Sequence, residues 1–151
     1  MSRRRVLFLC TGNSCRSQMA EGLVNHLLAD SWEAFSAGTA PAGYVHPLAM
    51  RAMAEIGIDI SGSYSKSVDE FRGVDFEIVI TVCDGAAETC PLQLGSGRAI
   101  HMGFPDPARA TGTEEERLEV FRRVRDDLRQ KIVSRLGQIV GEARQGGFDA
   151  A

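Results

Sequence analysis

No apolar run in the 151 residues approaches the ~18 consecutive residues that a membrane span requires. The opening MSRRRVLFLC has an apolar stretch of five residues, short of the roughly 7 to 15 of a signal-peptide core. No leader is expected, and Arg3, Arg4 and Arg5 read as a solvated lead-in. An excess of one charge is missing too. Lys and Arg number 17 against 20 Asp and Glu, interspersed, for a net charge of -3 and a pI near 5.6, which provides no field suited to nucleic acid or an anionic membrane. The three histidines, His26, His46 and His101, are scattered. The four cysteines fall as Cys-x4-Cys and Cys-x6-Cys rather than Cys-x2-Cys, which argues against structural zinc. Repeats, low-complexity segments and linkers are also absent. A single domain spanning 1–151 is expected, cytoplasmic and monomeric, with reduced thiols and, at 44% hydrophobic content, enough apolar residues for one core.

Apolar spacing sets out alternating elements. Val6 to Cys10 reads as a strand, and Arg16 to Asp30 as a helix whose apolar face is Met19, Ala20, Leu23, Val24, Leu27 and Leu28. Trp32 to Gly38 reads as a second strand ending in small residues, and HPLAMRAMAEIG as a helix with Pro47 near its start. Ile78, Val79, Ile80 and Val82 form a run typical of a strand buried on both faces, which ends at Cys83. RAIHMGF is a fourth strand, and PDPARATG leads to a long helix that opens on a Thr113/Glu116 capping box. Its stripe runs through Leu118, Phe121, Val124, Leu128, Ile132, Leu136 and Ile139, and residues 141–151 read as a frayed tail. This alternation predicts an α/β fold, a flavodoxin-like open sheet of four parallel strands with helices on both faces. Ligands then sit beyond the carboxyl ends of the strands, where Cys10, Ser36 to Gly38, Cys83 and Asp106 all fall. Trp32 and Tyr44 are expected to pack rather than to rim this edge.

The loop CTGNSCRS, Cys10 to Ser17, joins the first strand to a helix N-terminus. Backbone N–H groups and the helix dipole favour an anion there, and Gly12 and Asn13 tolerate the positive φ of a tight nest. Thr11, Gly12, Asn13, Ser14, Cys15, Arg16 and Ser17 are the predicted oxyanion-binding residues, Arg16 adding a bidentate guanidinium. The same field favours a Cys10 thiolate, to which Ser17 can donate a hydrogen bond. Cys15, directed into the helix start, reads as a buried filler.

CTGNSCRS together with DPA at Asp106 to Ala108 resembles the low-molecular-weight tyrosine phosphatase fold family over nearly the whole chain. The resemblance implies Cys10 as nucleophile, Arg16 as oxyanion clamp and Asp106 as general acid, stiffened by Pro105 and Pro107. Phosphatases of this fold usually follow Asp-Pro with aromatic residues that wall the slot, whereas Ala108, Arg109 and Ala110 follow here. CTGNSCRSQMAEG, the Cys-x6-Cys-Pro element at Cys83 to Pro91, and HMGFPDPA are similar to the thioredoxin-coupled class of arsenate reductases. That likeness implies arsenate as substrate, with phosphate or sulfate as analogues. It also implies a Cys10-Cys83-Cys90 relay, no tightly bound cofactor, and an external thiol reductant, thioredoxin. A phosphotyrosine phosphatase is the alternative.

If Cys83 to Cys90 forms about two helical turns in the reduced state, its ends stand ~10 Å apart. A disulfide needs roughly 4.4 to 6.8 Å, so the segment must unwind on oxidation, helped by Gly85, Pro91, Gly95 and Gly97. Some members of the reductase class bind potassium through an asparagine, a glutamate, a serine and an acidic residue. Asn13, Glu21 and Ser36 match by position, but Lys66 stands where the acid belongs, so its ammonium is expected in place of the cation.

Overall fold

A computed structural model describes residues 3–83 and 98–150, with side chains through 141 except that of Cys83. The elements are β1 (Arg4–Cys10), α1 (Arg16–Leu27), β2 (Trp32–Gly38), α2 (Pro47–Ala54), β3 (Ile78–Cys83), β4 (Arg98–Phe104) and α3 (Glu114–Ala150). Short 3-10 turns lie at Val68–Phe71 and Pro107–Arg109. The sheet order is β2-β1-β3-β4 and all three pairings are parallel, as the alternation of elements requires. The switch point falls beside β1, whose Val6, Leu7, Phe8 and Leu9 are wholly buried.

The long helix α3 buries the stripe Leu118, Phe121, Val124, Leu128, Ile132, Leu136 and Ile139 and packs on α1 and α2. Its capping box forms as expected. Glu116 N–H donates to Thr113 Oγ1 at 3.1 Å, and Thr113 N–H donates to Glu116 Oε1 at 3.2 Å. Phe35, Phe71 and Phe76 meet edge to face, each pair of ring centroids 5.7 Å apart. Asn25 ties α1 to β2, donating to the Ala34 carbonyl and accepting from the Ala34 N–H.

Four details differ from the sequence reading. Arg4 and Arg5 belong to β1, where ion pairs with Glu77 and Glu33 hold them, so the basic lead-in is part of the sheet. Leu27 ends α1 exposed, three residues past Val24, the last buried residue of the helix. Trp32 is fully buried, but Tyr44 is exposed, beside His46 at a ring separation of 6.4 Å. The backbone of α3 is helical through Ala150, whereas 141–151 was expected to trail off. No proline interrupts that stretch, and Glu142, Ala143, Arg144 and Gln145 are good helix formers.

Candidate active site

Residues 11–15 bridge the end of β1 and the start of α1, and Asn13 adopts a left-handed φ of 48° there. The positive φ falls on Asn13 and not on Gly12. The peptide units of this loop are oriented by a strap formed by residues 39–46. Thr39 N–H donates to Cys10 O at 3.2 Å, Ala40 N–H to Thr11 O at 2.9 Å, Ala42 N–H to Gly12 O at 2.8 Å and His46 N–H to Ser14 O at 2.9 Å. Ser65 Oγ donates to Gly12 O as well, at 3.0 Å. With its carbonyls turned outward to the strap, the loop directs its N–H groups inward, as an anion nest requires. Helix α1 is also left open at this end. Its N-cap, Cys15, makes no side-chain capping bond and no acidic residue lies in the first turn, whereas α2 is capped by His46 and α3 opens with Glu114, Glu115 and Glu116. The orphan donors of α1 and its dipole therefore face the loop interior.

Cys10 sits at the floor of this nest, 2% exposed. Asn13 N–H donates to Cys10 Sγ at 3.2 Å, and Ser17 Oγ lies 2.9 Å from the same sulfur. The surrounding bonds set the direction of the serine proton. Lys66 N–H and Gln18 Nε2 both donate to Asn13 Oδ1 at 2.9 Å, which turns Asn13 Nδ2 toward Ser17 Oγ at 2.8 Å. Ser17 Oγ thus accepts from Asn13, and its single proton is free to be donated to the sulfur. Cys10 Sγ therefore faces two donors, the Asn13 N–H and the Ser17 hydroxyl.

Arg16 is 8% exposed. Its Nη1 donates to Phe104 O at 3.1 Å, and its Nη2 lies 3.7 Å from Asp106 Oδ2. Its Nε is buried without a hydrogen-bond partner among the described residues, an open donor that a tetrahedral oxyanion satisfies. Asp106 follows β4 and caps the 3-10 turn, Oδ1 accepting from Ala108 N–H at 3.0 Å, so Oδ2 is the oxygen turned toward Arg16. Cys10, Thr11, Gly12, Ser14, Cys15 and Arg16 line one cleft with the 105–109 segment, while Asn13 and Ser17 are fully buried behind it. Cys15 is 3% exposed, and burial pushes its thiol up to about 12, so it stays protonated, as a filler should.

Cys83 ends β3 beside the end of β1. Leu9 pairs with Thr81, so the register places Cys83 one residue beyond Cys10 along neighbouring strands, a Cα separation of ~6 Å on regular sheet spacing. Cys90, the expected helical turns from Cys83 to Cys90 and their unwinding at Gly85, Pro91, Gly95 and Gly97 lie outside the described residues.

Behind the loop, Glu21 and Ser36 surround the Lys66 ammonium. Nζ is 3.7 Å from Glu21 Oε2, 3.4 Å from Ser36 Oγ and 3.3 Å from Tyr64 O. Asn13 Oδ1, the remaining matching group, is already engaged by two N–H donors. The residues do not fit a potassium ion, which would face a buried ammonium and lack that oxygen. Sequence reasoning missed the 39–46 strap, Gln18 and Ser65. Gln18 Nε2 donates to Asn13 and to Tyr64 O, so it buttresses the loop, but a glutamine on a helix carries no signal of such a role.

An arsenate reductase of Halalkalibacterium halodurans is 48% identical over 132 residues, 87% of this chain and 94% of that protein. A solved arsenate reductase in the reduced state superposes with a TM-score of 0.72 at 33% identity, covering 89% of this chain and 98% of the other. The thioredoxin-dependent arsenate reductase of Corynebacterium glutamicum gives a TM-score of 0.61 at 27% identity, over 87% of this chain and 61% of its own. The family model for low molecular weight phosphotyrosine protein phosphatase matches residues 5–145, which include the nest, its strap and the Asp106 turn. On that match, the chain belongs to the low molecular weight phosphotyrosine protein phosphatase family.

Proposed function

We propose that this protein reduces arsenate to arsenite through three thiols, with thioredoxin as the external dithiol. The observation that carries the reading is the pairing, in one cleft, of a Cys10 sulfur facing two donors and a buried Arg16 Nε that has no partner among the described residues. The first is suited to a nucleophilic thiolate and the second to the oxyanion it attacks. The relatives named arsenate reductase support the same substrate.

Arsenate enters the nest against the inward N–H groups and Arg16. The Cys10 thiolate forms a bond to arsenic, and Asp106 delivers the proton with which one oxygen leaves as water. Cys83 then attacks the Cys10 sulfur. The sulfur–arsenic bond breaks with its electron pair passing to arsenic, which leaves as arsenite, and a Cys10–Cys83 disulfide remains. Cys90 attacks Cys83, frees the Cys10 thiolate and completes a Cys83–Cys90 disulfide. Thioredoxin returns the two electrons and two protons. The ~6 Å estimated between the Cys10 and Cys83 backbones supports the first disulfide, since bridged Cα atoms stand roughly 4.4 to 6.8 Å apart.

A phosphatase reading keeps the first step and drops the relay. The cleft has Pro105, Ala108 and Arg109 beside Asp106 and, among the described residues, no aromatic wall to hold a phosphotyrosine ring, which favours the small oxyanion. Arsenate reduction coupled to thioredoxin and turnover of p-nitrophenyl phosphate, each for the parent and for Cys90→Ser, separate the two. Robust arsenate turnover that Cys90→Ser abolishes, with phosphate-ester hydrolysis weak and unchanged, is expected. A parent that hydrolyses the ester efficiently and reduces no arsenate refutes the proposal, and a Cys90→Ser variant that reduces arsenate at the parental rate refutes the relay.

A further inference from the structure

Lys66 and Glu21 form a buried ion pair that the chemistry above does not use. Lys66 is 8% exposed, and its ammonium is surrounded by electron-rich groups: Glu21 Oε2, Ser36 Oγ, Tyr64 O and the face of the Tyr64 ring, whose centroid is 4.8 Å away. Burial pushes the Glu21 carboxyl above the usual carboxylate range, and the Lys66 charge opposes that push. Glu21 Oε2 accepts no hydrogen bond from the described residues. A carboxylate in this position needs a cation to stay ionised.

The same lysine holds the oxyanion loop with its backbone. Its N–H donates to Asn13 Oδ1 and its carbonyl accepts from Gly38 N–H, both at 2.9 Å. One residue therefore anchors its charge among α1, β2 and the 64–66 segment while its main chain orients the Asn13 amide. That amide in turn directs the Ser17 hydroxyl at Cys10.

We propose that the Lys66 ammonium is the resident cation of this site, so that the geometry of the Cys10 loop is independent of alkali-metal ions, and that Lys66 is a positioning residue acting through Asn13 and Ser17. Asn13, Glu21 and Ser36 match three of the four groups with which some members of the reductase class bind potassium, and Lys66 in the fourth place supplies the charge itself. An open cleft of about 620 Å3, lined by Glu21, Ser63, Tyr64 and Lys66 among others, reaches the pair from solvent. A small cation can thus replace the ammonium when the side chain is cut back.

The test uses the full chain in potassium chloride and in tetramethylammonium chloride at matched ionic strength. It reads Tm and the rate of Cys10 alkylation by iodoacetamide at fixed pH, followed by mass of the Cys10 peptide. Neither readout involves arsenate, so the outcome is independent of the reaction assigned above. The parent is expected to give the same Tm and rate in both salts. Lys66→Ala in tetramethylammonium should show a lower Tm and alkylation changed by about tenfold, the effect of one mispositioned hydrogen bond to the sulfur. Potassium should restore part of both.

A parent whose Tm rises in potassium overturns the proposal, as does a Lys66→Ala variant with the parental rate in tetramethylammonium or one that potassium does not rescue. If Lys66→Ala does not fold, the double variant Lys66→Met/Glu21→Gln decides. With the carboxylate gone no cation is needed, so it should fold, react near the parental rate and ignore potassium. A double variant that is unfolded or potassium-dependent overturns the proposal.

Discussion

Gly38→Ala is the substitution from which most can be learned about the nest. Gly38 ends β2 opposite Cys10, and its N–H donates to the Lys66 carbonyl at 2.9 Å. A Cβ added there would lie 2.5 Å from Thr11 O, 3.1 Å from Asn13 Cβ and 3.1 Å from Asn13 N. All three atoms belong to the loop, and two are already committed. Thr11 O accepts from Ala40 N–H, and Asn13 N–H donates to Cys10 Sγ. The clash falls on backbone that a rotamer change cannot move, so either β2 or the loop must shift. Overpacking of this kind costs about 1 to 3 kcal/mol, which for a domain of this size lowers Tm by roughly 2 to 12 °C.

The functional effect should exceed the stability effect. Moving the Thr11 and Asn13 peptides takes N–H groups away from the oxyanion and one donor away from Cys10, and a misplacement of ~1 Å can cost about 100-fold in rate. Thermal unfolding, iodoacetamide alkylation of Cys10 and arsenate turnover should all change in Gly38→Ala. Gly62→Ala is the control, because a Cβ there meets nothing within 4 Å, and its Tm should stay within ~2 °C of the parent. If Gly38→Ala unfolds like the parent, the packing argument fails. If it is destabilised but keeps the parental alkylation rate and turnover, the link from Gly38 to the nest fails.

Ser17→Ala removes the hydroxyl that donates to Cys10 and leaves Asn13 Nδ2 without its acceptor, so kcat/KM for arsenate should drop about 10- to 100-fold with Tm little changed; a parental kcat/KM refutes the directed proton. Arg16→Lys keeps the charge but loses the planar fork and the unpartnered Nε, so phosphate should protect the variant against thermal unfolding far less than it protects the parent, and equal protection refutes the clamp. Cys15→Ala should retain arsenate turnover within about twofold, at about 1 kcal/mol of stability for the lost sulfur; abolished turnover would make Cys15 a reacting thiol. Glu55, hydrogen-bonded first by Arg122 and then by Arg125, is held down from 4.5 to about 2. A lowered carboxyl stabilises the fold above its ordinary value, and that contribution is lost as pH falls from 4.5 toward about 2. The Tm gap between parent and Glu55→Gln should therefore be widest above pH ~5 and close through that window, and a gap constant across it refutes the ion-pair assignment.

The elements legible in the sequence are those whose burial is set by their own side chains. β1 and β3 are apolar on both faces because both are central strands, and the α3 stripe is buried at every position read from its spacing. The Cys10-to-Ser17 loop was legible because glycine, asparagine and arginine stand between a strand and a helix. The strap was not. Thr39, Ala40, Ala42 and His46 act through backbone N–H groups, which any residue but proline provides, and Pro41 falls between two donors where none is used. Tyr44 misled for a related reason. Tyrosine tolerates either burial or exposure, and a loop that spends its backbone on the nest leaves this side chain outside. Leu27 shows the limit of periodicity, since spacing sets a face but not where that face runs past the core.

The nest itself does not distinguish phosphoryl transfer from arsenate reduction. Its outward carbonyls, uncapped helix start and sulfur with two hydrogen-bond contacts serve attack on any tetrahedral oxyanion, and each is held by backbone or by buried amides that do not sense the central atom. After that attack, a phosphoryl group can only be passed to water, because phosphorus does not accept the electron pair of the bond to sulfur. Arsenic accepts it readily, provided a second sulfur arrives. The choice between the two chemistries therefore rests on the neighbouring strand. β3 must end at the level of Cys10 with a thiol, and the register that pairs Leu9 with Thr81 brings Cys83 to that level. A shift of β3 by two residues further past the end of β1 would preserve every inward side chain of the sheet and carry Cys83 three residues beyond Cys10, a Cα separation of ~11 Å on regular sheet spacing, out of reach of a disulfide. On the proposed reaction, the parallel register of β1 and β3 is as much a part of the active site as the loop.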